Sequence, residues 1–104
     1  MADIETIAHP GARPASATVT VVLTEALVAL FPDARTRLEI EAATIAELLD
    51  ALEIRWPGMR DRLRDSTPAI RRHVNIFVDG RRATLDTPVA PGTTVYVLQA
   101  ISGG

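Results

Sequence analysis

The sequence predicts an α+β fold, a mixed sheet of four to five strands packed on one main helix. Three observations predict it. Short β-branched or alternating apolar runs recur at "TVTVVLT", "TRLEIEA", "HVNIFVDG" and "TVYVLQ". One stretch, "TIAELLDAL", carries a helical stripe with its own start signal. Their order is strand, strand, helix, short helix, strand, short strand, strand, so the strands flank one helix and do not alternate with several.

Residues 1–17 contain Pro10, Gly11, Pro14 and Ser16 with no sustained period, and read as a mobile arm ahead of a domain spanning 18–104. "TVTVVLT", 18–24, is β-branched and reads as a strand. "EALVALF" continues that strand or forms a helical turn, and Pro32 with Asp33 makes a turn. In "TRLEIEA", Leu38 and Ile40 point one way and Arg37, Glu39 and Glu41 the other, the period of a half-buried strand. It pairs with the first strand as a hairpin or near-hairpin. In "TIAELLDAL", Thr44 is an N-cap and Glu47 lies three residues on, a capping box. Ile45, Leu48, Leu49 and Leu52 fall on one face. Pro57 stops the helix. "GMRDRLRD" reads as a second short helix with Met59 and Leu63 as its apolar pair. Val74, Ile76 and Val78 form one face of the next strand, Asn75 and Phe77 the other. "DG" is a tight turn, "RRATL" (81–85) a short strand, and "DTPVAPGTT" a loop. The last strand sets Val95 and Val97 on one face, Tyr96 and Leu98 on the other.

Composition narrows the function. The 104 residues fit one domain with a modest core. With a net charge of −2 and no basic stripe, nucleic acid is not an expected partner. No apolar run approaches the roughly 20 residues of a membrane span. The N-terminus lacks the basic start and apolar core of a signal peptide, so the chain reads as cytoplasmic. There is no cysteine, hence no disulfide and no thiolate nucleophile. All 11 basic residues are arginine, so no side chain can serve as an amine nucleophile.

Nor does a catalytic constellation stand out. His9 and His73 lack metal-ligand spacing to a second candidate, and no metal or cofactor is expected. Asp79 and Asp86 have turn chemistry. Ser16, Ser66 and Ser102 lack a nucleophile-elbow setting. Trp56 closes the core edge, and the pairs Arg71–Arg72 and Arg81–Arg82 read as solvated faces. The chain is not expected to be an enzyme.

The unusual feature is the C-terminus, "AISGG". Two glycines add nothing to a core and are costly to order. Yet they follow a well-packed strand, so the tail starts from a rigid platform and is thin at its tip. Six extended residues from Gln99 would reach about 20 Å. Lacking Cβ, Gly103 and Gly104 fit a slot that any side chain would block, and a carboxylate on such a stalk can enter another enzyme's active site.

Taken together, "TIAELLDAL" with "WPGMRDRL", then "VNIFVDGR" and "PGTTVYVLQAISGG", resemble the MoaD/ThiS family of ubiquitin-like sulfur carriers, in its longer, CysO-like form. The resemblance covers roughly 18–104. Where many members carry an acidic residue before the last strand this chain has Thr93, and where many have proline after it stand Gln99 and Ala100. The resemblance implies a ubiquitin-like β-grasp. It also implies an ATP-dependent, ubiquitin-activating-type partner that adenylates the Gly104 carboxylate. A sulfur donor then forms a thiocarboxylate, and a downstream acceptor enzyme takes the sulfur into a cofactor, cysteine or another metabolite. Ile101, Ser102 and Gly103 form the tail in that scheme, and Leu98 with Tyr96 the docking face. The alternatives are a protein modifier joined through Gly104 to a target lysine, and an interaction module with an inert tail.

Overall fold

The computed structural model describes residues 17–67 and 69–99. Strands β1 (Ala17–Val22) and β2 (Arg37–Ala42) pair antiparallel, from Ala17 opposite Ala42 to Val22 opposite Arg37. Their alternation places Val19, Val21, Leu38 and Ile40 in the core. Ala17, read from sequence as the last residue of the arm, is the first residue of β1 and is 5% exposed. Between these strands "EALVALF" takes the helical option as α1 (Glu25–Val28). The Thr24 hydroxyl accepts the Leu27 N–H at 3.2 Å, which caps the turn while Leu27 buries. A hydroxyl at this position competes with strand pairing for the backbone donors.

Helix α2 (Ile45–Arg55) starts as its capping box requires, with a shift of one residue. Thr44 Oγ1 accepts from Glu47 N–H at 3.2 Å, and the Glu47 carboxylate accepts from Ala43 N–H at 2.9 Å, one residue before the cap. The two donors ahead of Glu47 go elsewhere. Ile45 N–H reaches the Thr87 carbonyl and Ala46 N–H the Leu85 carbonyl, at 3.0 and 2.9 Å. The helix start is thereby satisfied from the 85–87 loop. Ile45, Leu48, Leu49 and Leu52 are fully buried. The helix ends at Arg55, ahead of Pro57, with Trp56 as its C-cap packed against the core.

Helix α3 (Met59–Leu63) begins at Gly58, whose φ of +99° suits glycine. Glycine offers no capping side chain, so Glu53 of α2 supplies one. Its carboxylate accepts the N–H of Gly58 at 3.0 and 3.1 Å and that of Arg60 at 3.0 Å. These bonds stabilise the charged form and hold the carboxyl below its ordinary range.

The second half adds β3 (Val74–Val78), β4 (Arg81–Arg82) and β5 (Thr94–Gln99). Asp79 and Gly80 both have positive φ, 54° and 79°, the two-residue turn a tight hairpin requires. The five strands lie in the order β2-β1-β5-β3-β4, with β1 and β5 parallel and all other neighbours antiparallel. The core lies on one side of the sheet, beneath α2 and α3. This mixed sheet with its crossing helix is the expected β-grasp.

One element is shorter than the sequence suggests. The run 81–85 reads as a strand, but β4 stops at Arg82. Ala83 N–H still bonds the Ile76 carbonyl at 2.7 Å. Thr84 N–H then turns to Thr87 Oγ1 at 2.9 Å, and the Leu85 carbonyl is drawn to the start of α2. Capping the helix outcompetes continuing the ladder.

Candidate functional site: the C-terminal strand and its outer face

The last strand is central, with β1 on one side and β3 on the other. Val95 and Val97 are fully buried, and period two turns Tyr96 and Leu98 to the opposite face. There they are 45% and 42% exposed, on the face that alternation gives them, where the family resemblance implies an exposed apolar residue. The strand registers extend this into a row across the sheet. Arg82 lies opposite Phe77, Phe77 opposite Tyr96, Tyr96 opposite Val22, and Val22 opposite Arg37. An apolar and aromatic centre is thus flanked by a guanidinium at each end. Leu98 sits opposite Asn75, one step closer to the tail.

The strand is held to its final residue. Gln99 lies opposite Val74, and the Thr24 hydroxyl donates to its Oε1 at 3.2 Å. The same Thr24 oxygen accepts the Leu27 N–H, so the cap of α1 and the end of β5 share one side chain. Around this end, Asp61, Arg62, Arg71 and His73 border an open hollow of about 410 Å³ with Val74 and Gln99. Arg71 Nε donates to the Asp61 carbonyl at 2.7 Å, which fixes that guanidinium beside the strand end.

The tail residues Ile101, Ser102, Gly103 and Gly104 lie outside the described residues, as does His9. His73 is exposed, and Asp79 occupies the β3–β4 turn. Among the described residues no three His, Cys, Asp or Glu side chains stand close enough to hold a metal ion. The displaced titrations have local causes. Asp65 is held low mainly by the hydroxyl and N–H of Thr67, and Arg60 is held high by its 2.7 Å bond to Asp50. Sequence reasoning found Tyr96 and Leu98 from alternation. It missed the Thr24–Gln99 bond and the flanking Arg37 and Arg82, because these depend on which strands become neighbours.

Comparison with known proteins accords with this geometry. The ThiS family model matches residues 21–104, through both terminal glycines. No curated protein matches the chain. Among solved structures, the Amycolatopsis orientalis BexX/CysO complex matches with a TM-score of 0.72 and 27% identity, covering 83% of this chain and 99% of that one. CysO of Mycobacterium tuberculosis gives 0.69 and 25%, covering 80% and 99%. SAMP1 of Haloferax volcanii gives 0.70 and 22%, covering 84% and 99%, a likeness of fold. No helix among the described residues is long and apolar enough to cross a membrane. With its family match, its β-grasp sheet and its central final strand, the chain belongs to the ThiS family of ubiquitin-like sulfur carriers and modifiers.

Proposed function

We propose that the chain carries sulfur as a thiocarboxylate on Gly104. The observation that carries the reading is the anchored end of β5. Gln99 is fixed by Val74 and Thr24, so the five residues after it set out from a defined point and span about 17 Å when extended. An ATP-dependent activating enzyme joins the Gly104 carboxylate to AMP and releases pyrophosphate. The acyl–phosphate bond makes AMP the leaving group where a free carboxylate would have to expel oxide. Hydrosulfide attacks the carbonyl, AMP departs, a proton is released, and the thiocarboxylate remains. Neither cysteine nor lysine is needed on this chain, which acts as substrate and carrier and not as catalyst.

Tyr96 and Leu98 are the docking residues in this reading, with Phe77 and Val22 extending the apolar row. Gly103 keeps the tip narrow. The CysO of Amycolatopsis orientalis is found in complex with BexX, which supports a partner-dependent role for this chain. The partners are the activating enzyme, a sulfur donor and a downstream acceptor enzyme, in the cytoplasm.

The test supplies the activating enzyme, ATP and sulfide. The mass rises by about 16 Da, and because Met1 and Met59 gain a similar mass as sulfoxides, the increment is mapped to the C-terminal peptide or marked by thiocarboxylate alkylation. Deleting Gly104 abolishes it, and Gly103→Val slows it. Equal labelling of the deletion variant at its new end sinks the proposal. Higher-mass adducts with other proteins would instead identify a modifier.

A further inference from the structure

We infer that the free edge of β2 pairs antiparallel with β2 of a second copy of this chain, forming a two-fold dimer with one continuous sheet. This edge lies on the far side of the sheet from β4, and its pairing makes no use of Gly104. Bonds already in the sheet fix the direction of its backbone groups. Gly92 N–H donates to the Thr18 carbonyl and Thr20 N–H to the Thr93 carbonyl, so the backbone groups of Thr18 and Thr20 face β5. Those of Val19, Val21 and Leu23 therefore face β2, as the bond from Leu23 N–H to the Thr36 carbonyl shows. Their partners Ile40 and Leu38 turn inward to β1, and Arg37, Glu39 and Glu41 turn their N–H and C=O groups outward. Among the described residues no backbone group bonds these outward ones. The next outward carbonyl, at Ala43, is taken by Val89 N–H, which closes the edge at that end. An open hollow of about 490 Å³ borders Glu39, Glu41, Ala51 and Arg55, so the flank of α2 leaves the edge uncovered.

An unpaired edge is a template for another strand, and its charges decide which one. At alternate positions the sequence places Arg35, Arg37, Glu39 and Glu41, cations followed by anions. Arg37, Glu39 and Glu41 are exposed, and none has an ion-pair partner among the described residues. Run antiparallel against itself about Leu38, this series is its own complement. Arg37 comes opposite Glu39 of the second copy, and Glu39 opposite its Arg37. One step further out, Glu41 comes level with Arg35 on both sides. Each central pair joins outward-facing residues, so it exchanges both of its hydrogen bonds. No other register does this. A slip of one residue sets outward groups against inward ones. A slip of two residues centres the axis on Glu39 or on Arg37 and sets like charges directly opposite. The two-fold axis makes the contact isologous, so the assembly closes at two chains. A contact between strand edges lies at the low end of specific interfaces, below about 1,200 Å², so the dimer is weak. Because β5 is parallel to β1 and β1 antiparallel to β2, the two final strands run in opposite directions. The outer face that carries Tyr96 and Leu98 stays open in both copies.

The test is sedimentation equilibrium of the full chain up to millimolar concentration, beside amide hydrogen exchange on the ¹⁵N-labelled chain. A reversible dimer is expected, weakened as salt rises, and exchange at Arg37, Glu39 and Glu41 should slow as concentration increases. Arg37→Glu and Glu39→Arg each set like charges opposite and should weaken the dimer about tenfold or more. An equimolar mixture of the two single variants should associate again, because one chain then presents acids at both positions and the other guanidiniums. The double variant Arg37→Glu, Glu39→Arg should likewise restore the homodimer. Both positions are exposed, and urea midpoints check that each variant folds. The inference is overturned if the parent stays monomeric at millimolar concentration, if Glu39→Arg tightens association, or if neither the mixture nor the double variant restores it. Slow exchange of the three amides in the dilute monomer would equally overturn it, by showing that another segment of the chain covers the edge.

Discussion

Leu49→Ala is the sharpest test of how α2 seats on the sheet. Leu49 is 0% exposed within the core cluster, and its neighbours on the stripe, Ile45, Leu48 and Leu52, are equally buried. Trimming leucine to alanine removes three carbons, about 2.4 kcal/mol at about 0.8 each. The surrounding atoms belong to a capped helix and a hydrogen-bonded sheet, so the gap cannot fully close. A residual cavity of about 40 Å³ adds about 1 kcal/mol. The sum, about 3 kcal/mol, is a large part of the roughly 5–15 kcal/mol that holds a domain of this size. It corresponds to a fall in Tm of about 12–24 °C. Urea denaturation followed by far-UV circular dichroism measures it, with the m-value checked for constancy. Ile54→Ala on the same helix is the internal control, because Ile54 is 83% exposed and should change stability by less than about 0.5 kcal/mol. A loss below about 0.5 kcal/mol for Leu49→Ala, or equal losses for both variants, would mean that α2 is rotated from the orientation described.

Further outcomes concern pH, docking and the N-terminal segment. The Glu53 carboxyl titrates below its ordinary value of 4.5 because Gly58 and then Arg60 donate to it, so its contribution is complete above that value and disappears as pH falls through the lower folded one. Glu53→Gln should therefore be less stable than the parent at pH 7 and converge with it in acid; a difference that grows on acidification would contradict the assignment. Tyr96→Ala with Leu98→Ser should weaken engagement of the activating enzyme while leaving the urea midpoint nearly unchanged, since both side chains already face water; unchanged adenylation kinetics would remove this face from the docking role. Deleting residues 1–16, which retains the buried Ala17, should leave Gly104 activation intact, and a folded but inactive truncation would make that segment a docking element.

Much of this protein was legible in its sequence because local periodicity and local capping decide it. Leu38 and Ile40 alternate with charged neighbours, Thr44 and Glu47 announce α2, and Pro57 ends it, each through interactions that span only a few residues. Alternation likewise set Tyr96 and Leu98 on one face, opposite Val95 and Val97, while their exposure was only implied by the family resemblance. The tertiary structure decided what depends on distant partners. Whether "EALVALF" was strand or helix turned on the Thr24 hydroxyl, whose second bond reaches Gln99 at the other end of the chain. The length of β4 was set by α2, because the helix start needs the Leu85 and Thr87 carbonyls more than the sheet edge needs a longer ladder. The parallel pairing of β1 with β5 carries no local signature, since hydrogen bonds between strands are backbone to backbone and nearly indifferent to side chain. That pairing places the final strand at the centre of the sheet, with its last residue, Gln99, held by Val74 and Thr24.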